Sequence, residues 1–530
     1  MTLRLLRNLP FFSTSIAAVA WAALLGVTLV CYYNATLNHF FDFGGSTDAS
    51  WFAGMMWRTN INLPRPLFLG SFQQTYYGAH FSPLLTLPMA ISWLLPKVAM
   101  VPFYAATIGV FHALTTAVFG WISFSAMRSL NFPFAAKHAS ALLLTALFGF
   151  GAMQASHAGL PHFEIVYVGF LLLFFYLFLQ RRFRWAAAAL FGAFLIREDA
   201  GLIVSFFLLP YILWQRYHWH RVRTSLLFLA AGLLTTAFLL FFLIPQVFHG
   251  YGLFRDTYIG TPPFAHLTLQ HIEERSAFFF LRNNHIWLAL LAMLGMAAWF
   301  RQSVLALGAV GALPWVLIHT YLCTHYTGGT LSYYYNFPVL IALAWPLLAI
   351  AGGQASFTHP TQRLRGLLFT LAVLALACTA PLHDVAKGQL VRPYKFFSFE
   401  PRYGLQTVAA YESFFGAFAA DRSQYGVVWA SLHAASQSPA NFRRLEWLFD
   451  LRDGSPEVRE KLLHADTVIV FEREFSCPEF AALDRTKYVA YRVTGTKLKI
   501  LRRADLSMPS RAVPFLEPAD ATRGRLCVRD

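Results

Sequence analysis

The stretch WAAAALFGAFLIREDAGLIVSFFLLPYILW, residues 185–214, places three charged side chains inside an otherwise apolar run. Arginines flank this run on both sides, within 181–184 and 216–223. About 12 helical residues at ~1.5 Å each cover roughly 18 Å, which is more than half of the ~30 Å hydrocarbon core of a bilayer. The stretch therefore predicts a helical hairpin with Arg197, Glu198 and Asp199 at its tip, beyond the middle of the membrane.

The composition of the whole chain is typical of a membrane protein. Of the 530 residues 57% are hydrophobic and only 13% are charged, and the mean hydropathy is +0.49. Soluble domains carry about 25% charged residues. The net charge of +16 does not indicate nucleic-acid binding, because lysine and arginine are spread through the loops between apolar runs.

The distribution of basic residues predicts the topology. Lysine and arginine are retained on the cytoplasmic side, so Arg4 and Arg7 place the N-terminus inside. The first apolar run, 11–31, is too long for a signal peptide and is expected to remain as the first helix, followed by a large outer loop, 34–82. Further spans are predicted near 101–127, 138–156, 164–180, 224–244, 285–300, 303–319, 334–351 and 366–381.

The run 83–96 is interpreted as a partial or interfacial helix, because it ends at Pro96-Lys97 and a full span there would contradict the charge rule at Arg128. With the hairpin, the runs predict a polytopic α-helical bundle of about 11–12 membrane helices.

The character of the chain changes near residue 381. Charges become frequent, and apolar runs shorten to strand length at 425–431, 466–472, 488–493 and 497–501, with a helical stretch at 455–465. This pattern predicts a small α/β domain. The expected organisation is a transmembrane domain, 1–381, and a soluble extracytoplasmic domain, 382–530.

In this topology every acidic residue of 1–381 falls on the outer side of the membrane. The positive-inside rule says little about acids, so their gathering on one face indicates a site. The eight acids are Asp42, Asp48, Glu164, Glu198, Asp199, Asp256, Glu273 and Glu274.

The outer loop offers the first group of candidate residues. Asp42 and Asp48 follow the first helix, and His80 lies where the chain returns to the membrane. Carboxylates and an imidazole at a membrane surface can hold a divalent cation or act as a general base. Alternatively, Asp48 is the N-cap residue of a helix that begins directly after it.

Three further segments carry candidates. His162 and Glu164 lie where one predicted helix leaves the membrane and the next returns. The charges of 197–199 indicate a functional site, because such residues inside a membrane usually face the bundle interior; the alternative is an ion pair that only fastens the hairpin. Neighbouring residues of a helix do not face each other, so at least one of these charges needs a partner elsewhere.

Tyr334 and Asn336 lie in a tyrosine-rich outer loop that suits a carbohydrate, a lipid headgroup or an interfacial aromatic belt.

In their order and spacing, these motifs resemble a bacterial membrane-protein family defined by domain of unknown function 2079. The resemblance covers most of the chain and rests on FDFG (41–44) followed by Asp48, HFSPLL (80–85), PHFE (161–164), IREDAGL (196–202), YYYNFP (333–338), VVWASLHAAS (427–436) and ADTVIV (465–470). Where the family more usually has lysine at the hairpin, this chain has Arg197.

That family in turn resembles the GT-C superfamily of integral membrane glycosyltransferases. The resemblance implies a location in the bacterial cytoplasmic (inner) membrane, a polyprenyl-phosphate-sugar donor among the membrane lipids, and a glycan, lipid or protein acceptor. It also implies an essential acid in the first outer loop, a position that Asp42 matches, and in some members a divalent cation, Mg²⁺ or Mn²⁺, for which Asp42, Asp48 and His80 are the candidate ligands.

The resemblance suggests roles for these residues. Asp42 is expected to act as the base, with Asp48 and Glu164 as further catalytic candidates. Binding of the donor phosphate is expected of Arg197, or of Arg58 and Arg65 in the outer loop. His80, His162, Glu198, Asp199, Tyr334 and Asn336 are expected around the same cavity.

Two other classes of function remain open. A transporter or lipid flippase would use the charged hairpin tip as its substrate or coupling site. A structural or sensory protein whose C-terminal domain binds a partner would explain that domain, but not the acids on one face.

Overall fold

A computed structural model gives the structure of residues 14–42, 80–96, 100–151, 162–248, 255–260, 262–324, 333–355, 403–431, 464–472 and 487–519, with short isolated pieces between them. The helices are α1 (Thr14–Asp42), α2 (Thr86–Ser92), α3 (Met100–Ser129), α4 (Phe134–Gly149), α5 (Ile165–Leu179), α6 (Phe183–Phe194), α7 (Ala200–Trp214), α8 (Trp219–Phe238), α9 (Leu269–Arg282), α10 (Asn284–Phe300), α11 (Leu307–Leu317), α12 (Phe337–Ala351) and α13 (Leu405–Ala420). The strands are β1 (Val428–Ser431), β2 (Trp447–Leu448), β3 (Thr467–Phe471), β4 (Tyr488–Val493), β5 (Leu498–Arg503) and β6 (Leu516–Pro518).

The described part of the chain holds four helices long and apolar enough to cross a membrane: Thr14–Phe41, Met100–Ser129, Trp219–Val247 and Ser303–Leu322. The pair α9 and α10 makes a fifth if it is one span, bent by 71°. The predicted class, a mainly helical membrane protein with a small C-terminal sheet domain, is confirmed. The helix count stays a prediction, since most of 366–381 lies outside the described residues.

The hairpin forms where the sequence predicts it. Helices α6 and α7 are joined by residues 195–199, which carry the three charges. The segment 83–96 forms one 3₁₀ turn and the seven-residue helix α2, too short to span a bilayer.

Contacts between residues divide the chain into two compact units. The first comprises Met1–Tyr32, Gln74–Leu85 and Thr107–Phe397; the second comprises Tyr33–Gln73, Thr86–Ala106 and Ser398–Asp530. The predicted domain boundary at 381–382 lies outside the described residues and stays a prediction.

The core of the first unit is formed by α5 and α12. All 15 residues of α12 are buried, and almost all of α5 is as well, because both segments are apolar on every side and pack against each other. Helix α6 packs on α5, and α7 packs on α8 and α11. The fully buried Trp345 of α12 meets Phe175 of α5 at 5.4 Å and Phe207 of α7 at 5.8 Å between ring centroids.

The second unit is built around a six-stranded sheet of order β2-β1-β3-β5-β4-β6. Strand β1 pairs in parallel with β2 and β3, whereas the remaining pairs are antiparallel. The end of α1 belongs to this unit: Phe41 stacks on Tyr411 of α13, 5.3 Å between centroids. Four strands confirm the predicted sheet, since β1, β3, β4 and β5 lie within or next to the four runs of strand length.

Candidate functional site

The hairpin tip is shaped by an ion pair between residues two apart. Because 195–199 leaves the helical conformation, Arg197 can turn its guanidinium onto Asp199. Its Nε donates to Asp199 Oδ1 at 3.0 Å and its Nη2 to Oδ2 at 2.7 Å. This two-pronged contact matches the planar fork of arginine to a carboxylate and fixes the geometry of the tip.

The same arginine reaches the start of α5. Arg197 Nη1 donates to Glu164 Oε2 at 2.7 Å, and His162 Nδ1 lies 3.5 Å from that oxygen. One helical turn further on, the Tyr167 hydroxyl donates to Asp199 Oδ1 at 3.3 Å. The side chain of Glu164 is 1% exposed, so Glu164 and Arg197 form a buried ion pair that joins α5 to the hairpin.

The end of the large outer loop also contacts the hairpin tip. His80 Nδ1 lies 2.8 Å from Glu198 Oε1, and the backbone N–H of Phe81 donates to Glu198 Oε2 at 3.1 Å. Ser82 Oγ donates to the carbonyl of Ile196 at 2.6 Å. The returning loop is thus fastened to the tip by side-chain and backbone bonds, and Glu198 has its partner outside the hairpin.

Helix α8 supports the tip from another side. Thr236 Oγ1 donates to the Glu198 carbonyl at 2.9 Å and accepts from the Gly201 N–H at 3.1 Å. A Cβ on Gly201 would lie 1.9 Å from the carbonyl oxygen of Gly232. Only glycine permits this close crossing of α7 and α8, which sets Thr236 against the tip.

These contacts bring six of the predicted site residues together: His80, His162, Glu164, Arg197, Glu198 and Asp199, here named the acid–histidine cluster. It holds three carboxylates and two histidines against one arginine. Its exposure is uneven: the His80 side chain is 26% exposed, the highest value in the cluster's ion pairs. A ligand arriving from outside would meet His80 before it meets Glu164.

Two tyrosines lie close to the cluster. Burial raises the pKa of Tyr258, and the nearby Cys323 and Asp199 raise it further, while Arg197 acts in the opposite direction. The Tyr258 hydroxyl lies 2.9 Å from His319 Nε2. Burial also raises the pKa of Tyr77 to about 12; its ring packs on Phe81 and so supports the segment that carries His80.

The structure describes only part of the remaining predicted site residues. Asp42 is the last residue of α1, but its side chain lies outside the described residues, as do Asp48, Arg58, Arg65 and the side chain of Tyr334. Asn336 is buried directly before α12. The next residue, Phe337, lies 6.2 Å from Tyr167 between ring centroids, so Asn336 is at the same end of the bundle as the cluster.

The described side chains do not test the predicted divalent cation. None of them form a group of three His, Cys, Asp or Glu residues that could hold a metal ion. His80 has Nδ1 against Glu198, so a cation would have to bind its other nitrogen. The remaining predicted ligands, Asp42 and Asp48, lie outside the described side chains, and the metal site stays a prediction.

Ser82, Tyr167 and Thr236 contact the cluster and are missing from the predicted site. Ser82 stands inside HFSPLL beside His80, and Tyr167 follows Glu164 by three residues, on the same helix face. Both could have been found from spacing. Thr236 lies in an ordinary apolar helix, and nothing in its sequence neighbourhood marks it.

Comparison with known solved structures finds a similar membrane protein. The match is the crystal structure of ArnT from Cupriavidus metallidurans bound to undecaprenyl phosphate, with 12% sequence identity and a TM-score of 0.49, covering 94% of this chain and 100% of that chain. At this identity and score the likeness decides neither fold nor function. No family model matches the chain, and no curated protein matches it. The resemblance to domain of unknown function 2079 therefore stays an interpretation of the motifs.

Proposed function

We propose that this protein is an integral membrane glycosyltransferase of the GT-C type. It would transfer a sugar from a polyprenyl-phosphate-linked donor to an acceptor at the outer face of the bacterial cytoplasmic membrane. The motif resemblance gives the class of reaction. The geometry adds that the residues of HFSPLL, PHFE and IREDAGL, far apart in the chain, share one hydrogen-bonded cluster.

The observation that carries the proposal is the burial of Glu164 and Glu198, together with the half-buried Asp199 and Arg197, at the ends of apolar helices. Ionisable residues inside a membrane protein are costly, and their presence is a functional hypothesis by default. An ion pair that only fastened the hairpin would need Arg197 and one acid. The structure adds Glu164, Glu198 and two histidines, which is more than fastening requires.

The reaction requires a base and a stabilised leaving group. The acceptor hydroxyl loses its proton as its oxygen bonds to the sugar carbon, and the bond from that carbon to the phosphate oxygen breaks, releasing polyprenyl phosphate. We assign the base to Asp42, following the motif resemblance. Glu164 is less suited to this role than its sequence position suggests, because its buried carboxylate already accepts from Arg197.

The assignment of phosphate binding changes in the same way. Nε, Nη1 and Nη2 of Arg197 all donate to carboxylates, so only the second N–H of each Nη is left for a phosphate, and the neighbouring carboxylates would repel its charge. Arg58 and Arg65 of the outer loop remain the proposed phosphate ligands. Arg197 is better suited to position Glu164 and Asp199, while His80, held by Glu198, is the group that a substrate reaches first.

Native mass spectrometry of the detergent-purified protein tests this proposal. The wild type is compared with Glu198→Gln, which removes the charge that holds His80, and with Glu274→Gln, which removes an exposed acid on α9. We expect a retained polyprenyl phosphate, or its sugar adduct, on the wild type and on Glu274→Gln, and its loss from Glu198→Gln. The release of polyprenyl phosphate from an added polyprenyl-phosphate sugar should follow the same order.

Two results would contradict the proposed transferase activity. The absence of any polyprenyl species from the wild type, together with no turnover of the added donor, would leave the motif resemblance without support. Movement of intact lipid across a vesicle membrane, without cleavage of the sugar–phosphate bond, would favour the flippase instead.

A further inference from the structure

A pocket of about 540 Å³ lies at the opposite end of α5 and α7 from the acid–histidine cluster. Helix α5 begins directly after Glu164 and ends at Leu179, and α7 begins directly after Asp199 and ends at Trp214. At ~1.5 Å per residue, each helix of 15 residues covers roughly 22 Å. The pocket and the cluster are therefore separate sites on the same pair of helices.

The pocket is basic and holds no counter-charge. Its lining includes Arg181, Arg221, His218 and His220, and none of its 13 lining residues is acidic. The only acids between residues 165 and 255 are Glu198 and Asp199, both at the far end of α7. An arginine pair without a carboxylate partner is suited to an anion.

Hydrogen bonds to two glutamines hold the Arg221 side chain in place at the pocket. Arg221 donates to Gln215 Oε1 at 3.1 Å and to Gln354 Oε1 at 3.4 Å, while Gln354 Nε2 donates to the carbonyl of Gly352 at 3.0 Å. Arg221, in the first turn of α8, is thereby joined to the connection between α7 and α8 through Gln215 and to the segment after α12 through Gln354. Arg181 and Arg221 both line this pocket.

Arg181 itself is available to a ligand. Its backbone adopts φ 60°, in the left-handed region, and its N–H and that of Arg182 close the end of α5 by bonding to carbonyls of the last turn. Its side chain is exposed and makes no hydrogen bond or ion pair within the described part of the chain. The Arg181 guanidinium therefore lies at the pocket without a hydrogen bond or ion pair to another described residue.

The surroundings are those of a membrane interface. Phe178, Phe183, Tyr217 and Trp219 line the pocket, and Trp185, two residues after Phe183 in the chain, is exposed. Tryptophan and tyrosine are enriched at the boundary between lipid and water. Apolar walls next to two arginines suit a molecule that has both an acyl chain and a charged phosphate.

We propose that this pocket binds the phosphate of an anionic membrane lipid, with Arg181 and Arg221 as its ligands and the aromatic wall against the acyl chains. In the predicted topology it opens to the inner leaflet. The site is independent of the proposed transferase reaction, because it lies at the other end of the bundle and needs no polyprenyl donor.

Native mass spectrometry of the full-length protein tests this site, with phosphatidylglycerol and phosphatidylcholine added as defined probes. The test variant is Arg181→Gln. The matched control is Arg184→Gln, which removes one arginine from the same face; Arg184 is exposed and does not line the pocket. A double variant, Arg181→Gln with Arg221→Gln, is compared with Arg184→Gln with Arg223→Gln.

We expect phosphatidylglycerol to be retained over phosphatidylcholine by the wild type and by both controls. Binding to Arg181→Gln should be about tenfold weaker, as the loss of a charged hydrogen bond predicts, and weaker still in the double variant. Equal loss in the controls would show a general attraction of basic loops to anionic lipid and would overturn the site.

Competition by inorganic phosphate or glycerol 3-phosphate decides the source of the phosphate. If either displaces phosphatidylglycerol at equal concentration, the pocket takes a soluble phosphate and the lipid assignment fails. The single variant keeps the test valid if the double variant folds poorly, because Arg221 also holds Gln215 and Gln354 whereas the side chain of Arg181 holds nothing.

Discussion

At the scale of single residues, the charged side chains of this protein take their partners from distant parts of the chain. Glu198 is held by His80, 118 residues before it, and Arg197 by Glu164, 33 residues before it. Pairs of this kind cannot be replaced one side chain at a time, because removing one partner leaves the other buried and uncompensated.

His80→Ala should therefore lower stability, whereas the same change in a Glu198→Gln background should cost much less. The expected loss for the single variant is about 1–3 kcal/mol, the range for leaving a buried polar group without its partner. The measurement is a double-mutant cycle on thermal unfolding in detergent, followed by tryptophan fluorescence. Additive effects would contradict a direct pairing of the two side chains.

Asp42→Asn should abolish the proposed transfer without lowering expression. Asparagine has nearly the shape of aspartate but cannot take the acceptor proton, and Asp42 ends α1, where the loss of one charge leaves the helix intact. Donor turnover and the yield of purified protein are measured together. Turnover at the wild-type rate would exclude Asp42 as the base.

At the scale of elements, the crossing of α7 and α8 depends on two glycines. A Cβ on Gly201 would lie 1.9 Å from the carbonyl oxygen of Gly232, far inside any real contact, and the obstacle is backbone, which cannot rotate aside. The helices would have to separate, and Thr236 would move away from Glu198.

Gly201→Ala should therefore reduce the yield of monodisperse protein and lower its melting temperature. The matched control is Gly295→Ala in α10, where a Cβ would meet nothing within 4 Å. That change should raise stability by about 0.5–1 kcal/mol, since alanine is the better helix former. If both variants behave alike under size-exclusion chromatography and thermal unfolding, the close crossing is not required.

The sequence predicted which helices and strands form better than it predicted where they end or bend. The hairpin was predictable because its charges interrupt an apolar run at mid-length, a pattern that a single span cannot accommodate. The 71° bend between α9 and α10 was not predicted, although Arg282 in the last turn of α9 and Asn283 after it are typical of a helix end. The predicted span 224–244 also gives no sign of the π-helix Leu239–Val247, which continues past the predicted end and through Pro245.

The candidate site shows the same limit. Residue types and motif order predicted which segments meet, including His80, Glu164 and the hairpin tip. Which atoms pair could not be predicted, because spacing along the chain does not determine contacts between distant segments. The phosphate role first expected of Arg197 illustrates this, since only the structure shows its three guanidinium nitrogens engaged with carboxylates.

At the scale of the whole molecule, the basic loops predict on which side of the membrane the termini lie. A phosphatase reporter fused after Asp530 should be active, because it would lie outside the cytoplasm, where such a reporter folds with its disulfides. A reporter fused after Arg301, in a loop predicted to lie inside, should be inactive. The reverse pattern in whole cells would invert the topology and place the acid–histidine cluster on the cytoplasmic side.

The unequal count of acids and bases in the acid–histidine cluster has a consequence for thermodynamics. With neutral histidines the three carboxylates outnumber the single arginine by two, so an entering phosphate meets repulsion unless protons or a cation arrive with it. Linkage then requires that ligand affinity rise as pH falls. In calorimetry, the heat of binding should change with the ionisation enthalpy of the buffer, and the slope would count the protons taken up on binding.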